Sequence, residues 1–84
     1  MRRLLSETDQ QPSRRPRDFF AANVKRLRAQ QEMTQEQLAR AAGLSRDEVS
    51  KVENRLREPK VETIARLAKG LDVPYDLLFR GIKL

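Results

Sequence analysis

Cysteine and histidine are both absent from the 84 residues, and these two gaps remove much of catalytic and metal chemistry. Without cysteine there is no disulfide framework, no thiolate nucleophile and no zinc-ribbon or iron–sulfur site. Without histidine the usual general base and the commonest soft-metal ligand are missing. An enzyme would have to work with carboxylates, lysines and hydroxyls inside a body too small for a deep pocket. We therefore expect no enzyme, no metal and no cofactor. Long apolar runs are lacking as well, since none approaches the roughly 18 residues needed to cross a bilayer. The start, Met1-Arg2-Arg3-Leu4-Leu5-Ser6-Glu7, turns polar before any signal-peptide apolar stretch develops. The chain reads as soluble and cytoplasmic, with no membrane partner.

Positive charge is plentiful. Eighteen Lys+Arg against twelve Asp+Glu leave a formal +6, a balance that in a small domain points to a polyanionic partner, nucleic acid first. The excess is uneven. Residues 1–17 carry five arginines against Glu7 and Asp9, so half of it sits in one fifth of the length. With only Leu4 and Leu5 as apolar content beyond the initiator, this stretch cannot bury enough surface to offset the entropy of ordering it. It is expected to be a disordered basic arm. Two readings stand: a solvated tail, or an arm whose Arg14, Arg15 and Arg17 touch phosphates or enter a minor groove, as homeodomain arms do.

From residue 18 to 84 apolar residues recur at helical spacing and no segment alternates like a strand. Phe20, Val24 and Leu27 make a first face, with Asp18 as N-cap and an end near Gln31. Thr34-Gln35-Glu36-Gln37 is a capping box, and the helix behind it presents Leu38, Ala39 and Ala42 before stopping at Gly43. Ser45-Arg46-Asp47-Glu48 is a second capping box, opening a helix whose buried stripe is Val49 and Val52. Two capped helices separated by Gly43-Leu44 make a tight helix–turn–helix. Pro59 marks the way into a fourth helix with the stripe Val61, Ile64, Leu67, Ala68 and Leu71. Pro74 opens a short fifth with Leu77 and Leu78 facing in. The expected fold is all-α, a compact five-helix domain.

Such a body is marginal, since about 60 residues bury only about 60% of their unfolded surface. Tyr75, Leu78, Phe79, Ile82 and Leu84 cluster near the C-terminus. They either complete the core or form a subunit contact, and we favour a homodimer through them.

The spacing also selects surface residues. Arg46, Asp47 and Ser50 lie outward from Val49 and Val52, with Lys51 one turn after Asp47. In a helix–turn–helix the second helix of the motif enters the major groove while the first crosses the backbone. There Arg46 can donate both arms to guanine O6 and N7, Lys51 can reach guanine or a phosphate, and Asp47 can accept from a cytosine amino group. Ordinary surface residues on a soluble helix are the plainer alternative. For Asp47 there is also its favourable place at a helix N-terminus.

Val24-Lys25-Arg26-Leu27-Arg28, Met33 through Ala39, Gly43-Leu44-Ser45, Val49 through Asn54, Pro59, Ala65 through Lys69 and Val73 through Leu78 occur in one order. Together they resemble the Cro and phage-repressor type of helix-turn-helix domain, the XRE family. The resemblance implies that Arg46, Asp47, Ser50 and Lys51 are at or near base-reading positions. It implies phosphate contacts from Gln35 and Ser45 at helix N-termini, and from Asn54, Arg57 and Lys60 after the reader. It also implies a structural ion pair between Arg28 and Glu53. The sequence departs from the family pattern after Asn54, where Arg55 replaces the usual glycine, Leu56 replaces a polar residue and Lys60 replaces a capping hydroxyl.

These features imply a sequence-specific double-stranded-DNA-binding transcriptional regulator, a repressor by default, on a near-palindromic operator. Alternatives are an antitoxin with a toxin partner, a restriction–modification-type controller that contacts polymerase, or a protein–protein adaptor without DNA.

Overall fold

The computed structural model describes residues 15–81. Within them are five helices: α1 (Pro16–Gln30), α2 (Gln35–Ala42), α3 (Arg46–Glu53), α4 (Val61–Leu71) and α5 (Tyr75–Leu78). The described residues contain no strand. The all-α, five-helix expectation holds.

The start of α1 differs from the sequence reading. Asp18 is not its N-cap; Arg15 holds that place without a side-chain cap, and Pro16 opens the helix. Proline at the first helical position has its torsion pre-set and lacks an N–H that would be orphaned anyway. Arg17 consequently belongs to the first turn of α1 rather than to an arm. Its guanidinium is 3.9 Å from the Glu58 carboxylate. Arg14 lies outside the described residues.

Each of the first four helices closes alike. Glu32, Gly43, Arg55 and Asp72 adopt left-handed torsions, with φ of 57°, 72°, 61° and 56°. The next N–H reaches back to a carbonyl: Met33 to Arg28, Leu44 to Ala39, Leu56 to Lys51 and Val73 to Ala68, at 2.8–3.1 Å. These paired bonds satisfy carbonyls that would otherwise be orphaned at a helix end. Three of the four left-handed residues are not glycine, so three turns carry strain that only the surrounding packing justifies.

The core is one cluster. Phe20, Val24, Leu38, Val49, Leu67, Leu71 and Leu78 are fully enclosed, each worth about 1.5–3 kcal/mol on leaving water. α2 packs most extensively on α4 and on α3, and α1 closes over α3 and α5. Gly70 permits the α2–α4 approach, since a Cβ there would stand 2.9 Å from the Ala42 Cβ. Two sequence assignments are corrected. Val61, placed on the buried stripe of α4, is 83% exposed because it stands in the first turn, before α4 meets the core. Leu78, read both as facing in and among the subunit contacts, is completely buried, which keeps the first reading and removes the second; α5 turns one side inward to seal the core below α1.

A buried polar contact holds that seal. Asn23, buried on α1, donates through Nδ2 to the Leu78 carbonyl at 2.8 Å and the Arg80 carbonyl at 3.0 Å. Its Oδ1 accepts from Arg26 at 2.7 Å. The asparagine thereby satisfies carbonyls at the end of α5, where no regular helix continues to do so.

Candidate nucleic-acid interface

α3 is fixed at both ends, and its fixtures define the site. At its start the Glu48 N–H donates to Ser45 Oγ at 3.1 Å and the Ser45 N–H donates to Glu48 Oε1 at 2.8 Å. This reciprocal cap answers two orphan donors of the first turn. Hydrogen bonds from Ser45, the backbone N–H first, hold the Glu48 carboxyl below its usual range; desolvation opposes this weakly and the Arg57 and Arg66 charges reinforce it. α2 starts the same way, with Gln37 N–H to Thr34 Oγ1 at 3.0 Å and Thr34 N–H to Gln37 Oε1 at 2.8 Å. Both capping boxes read from sequence are present.

At the far end of α3, Glu53 is buried and its carboxylate is spoken for by two elements. Arg28 donates through Nε at 2.6 Å to Oε2 and through Nη2 at 3.0 Å to Oε1. Gln35 donates through Nε2 to Oε1 at 3.0 Å, and Arg28 Nη1 also donates to the Met33 carbonyl at 2.7 Å. The hydrogen bond with Glu53 raises the Arg28 pKa despite partial desolvation, so the guanidinium stays charged. A two-armed arginine–carboxylate contact fixes angle as well as distance. It binds the ends of α1, α2 and α3 into one rigid unit.

That unit presents a polar face. Arg46 and Asp47 are exposed, and Ser50 and Lys51 are half-buried, all on the side away from Val49 and Val52. Lys51 Nζ is 3.0 Å from Asp47 Oδ2 one turn back. Ser50 Oγ accepts from Asn54 Nδ2 at 3.2 Å. Beside them a shallow cleft is lined by Arg28, Thr34, Gln35, Glu36 and Arg46. Here the free N–H groups at the start of α2 meet the Arg46 side of the reader, a setting suited to a phosphate.

The sequence-derived contacts divide. Ser45 and Gln35 stand at the N-termini of α3 and α2 as expected, but Gln35 also braces Glu53. Asn54 is the C-cap just after α3, at φ −94°, and Arg55 takes the left-handed place after it. Lys60 stands before α4 with no side-chain cap, as its chemistry implies. Arg57 is exposed between them. Arg15 and Arg17 are held at the start of α1, and Ile82 and Leu84 lie outside the described residues. Sequence reasoning missed Asn23 and Gln31, whose Nε2 donates to the Leu71 carbonyl at 2.7 Å. Neither partner lies close in sequence, so no local pattern announces them.

An all-helical core carrying two capped helices across a glycine turn, with a polar face on the second, defines a helix–turn–helix domain. Residues 24–78 match the helix-turn-helix family, and the chain belongs to it. Among relatives, the Serratia marcescens control protein C.SmaI is 36% identical over 69 residues, covering 80% of this chain and 82% of its own. The HTH-type transcriptional repressor RghR of Bacillus subtilis is 38% identical over 60 residues, 70% of this chain and 44% of its own. The chain spans about half the length of the Bacillus relatives it matches. Among solved structures, the restriction-modification controller protein C.AhdI from Aeromonas hydrophila superposes with a TM-score of 0.72 at 33% identity. That match covers 75% of this chain and 96% of C.AhdI.

Proposed function

We propose that the chain is a sequence-specific double-stranded-DNA-binding transcriptional regulator that acts as a homodimer on a near-palindromic operator. The observation that carries this reading is the clamped α3, which presents Arg46, Asp47, Ser50 and Lys51 on the side away from Val49 and Val52 while Glu48 is held in the cap. Arg46 donates to guanine. Lys51, held against Asp47, reaches a neighbouring base or phosphate, and Ser50 supplies a short hydroxyl between them. Gln35, Ser45, Asn54, Arg57 and Lys60 meet phosphates on either side. Binding, not catalysis, is the activity.

Dimerisation uses Tyr75 and Phe79, which are 58% and 39% exposed at the C-terminal end. Two copies would set their reader helices about 34 Å apart, one turn of B-DNA. Repression by occluding a promoter is the default outcome. A controller-type role is the second reading, favoured because two controller relatives are matched over most of their own length.

Selection of bound duplexes from a random pool tests the proposal. It should enrich a two-fold symmetric site with half-sites about ten base pairs apart. Log K should fall against log salt with a slope near −5, for about six neutralised phosphates. A pool that stays random, with binding indifferent to salt, would instead favour a protein adaptor. A one-to-one partner copurifying from the neighbouring gene would favour an antitoxin.

A further inference from the structure

Four helix ends share one backbone geometry, and the residue just after the left-handed one is apolar every time: Met33, Leu44, Leu56 and Val73. In this kind of turn that residue ordinarily packs back onto its own helix. Met33, Leu44 and Val73 are partly buried and packed against the core. Leu56 is 71% exposed. It is not among the residues packed against the core, although its N–H is bonded to the Lys51 carbonyl at 2.9 Å. The leucine is therefore fastened to the last turn of the reader helix and faces outward.

Its surroundings indicate what covers it. Arg55 and Arg57 flank it in sequence and Lys60 closes the same connection, all three exposed. The one acid of the connection itself, Glu58, has its carboxylate 3.9 Å from Arg17, and the Arg55 guanidinium lies 3.9 Å from the Asp18 carboxylate on α1. An apolar side chain set among cations beside a groove-reading helix suits a surface that alternates phosphate with uncharged sugar. A duplex backbone is such a surface.

We propose that Leu56 is a DNA-contacting residue, packing on deoxyribose between the phosphates met by Arg57 and Lys60. The inference rests on the regulator reading above. It adds to that reading a contact that releases no counterions, and so contributes affinity that salt does not screen.

The test uses the full chain and the duplex enriched from the random pool. Leu56→Ser should weaken binding about five- to tenfold, as loss of part of a leucine's burial implies. Its melting temperature and salt slope should match the parent, and Leu56→Met should bind like the parent. The contrast is Arg57→Ala, which should flatten the slope by about 0.9. Unchanged affinity of Leu56→Ser on a duplex the parent binds well would overturn the Leu56 contact alone. Loss of the dimer in Leu56→Ser, read by sedimentation, would overturn it in favour of a contact between copies. A parent that binds no duplex at all would remove the regulator reading, and this inference with it.

Discussion

Before α3, Gly43 takes the left-handed position, Leu44 folds onto the core and Ser45 caps the reader. After α3, Arg55 takes that position, Leu56 is exposed and Lys60 stands uncapped before α4. The first connection follows every local preference: a glycine in the left-handed place, an apolar residue packed inward and a hydroxyl cap. The second breaks three of them, and each break leaves a cation or a leucine on the surface next to the reader. Departures from local rules gather where function is served. The comparison thus separates a connection that positions α3 from one that, on the proposed reading, extends its contact surface.

The Glu53 clamp fixes the far end of α3 between the two connections, and breaking it should have the largest effect. Arg28→Ala leaves a buried carboxylate with the Gln35 amide alone and should cost about 3 kcal/mol. In a domain this small, melting followed by circular dichroism should fall by more than about 12 °C. Arg46→Ala should leave melting unchanged, cost about 1–3 kcal/mol on the preferred duplex and relax choice at one base pair per half-site. Equal weakening on every sequence would make Arg46 a backbone contact.

Smaller changes sharpen the contrast between the connections. Gly43→Ala should lose about 1 kcal/mol, because φ is 72° and the new Cβ would stand 2.7 Å from Arg66 Nη1. Lys60→Ser should gain about 0.5–1 kcal/mol by restoring a cap. The same change should weaken DNA binding evenly across sequences. Stability and function would then move in opposite directions at one residue, as the comparison requires.

The smallest effect is on acid stability. The folded Glu48 carboxyl is held below its ordinary value, so its contribution is complete above about pH 4.3 and disappears as pH falls through the folded value. Melting temperatures between pH 6 and pH 3 should therefore decline less steeply for Glu48→Gln than for the parent.

Much of this was legible in the sequence because it is local. Both capping boxes span four residues, and Gly43 acts where it stands. Val49 and Val52 fall inward at helical spacing. The Arg28–Glu53 pair came by family resemblance, since no rule of spacing links residues so far apart. Other features were set by distance in the chain. Asn23 meets its partners across the whole domain, and which of the two readings of Leu78 holds, core or subunit contact, follows from where α1 lies. Val61 fits an apolar period but precedes the point at which α4 touches anything buried. Pro16 falls in the stretch expected to be an arm, and only the packed α1 makes it a helix start. Within the interface, residue positions could be read, and so could the one-turn spacing of Lys51 and Asp47, but the engagement of Gln35 with Glu53 follows only from how α2 packs on α3.

Titrating isotope-labelled chain with the enriched duplex, and following each backbone amide by nuclear magnetic resonance, tests the central claim most directly. The account predicts the largest shifts at Gln35 and from Ser45 through Arg57, with Leu67 and Leu71 nearly still. Shifts concentrated on α5 and the outer side of α1, with Arg46 and Lys51 unmoved, would contradict it.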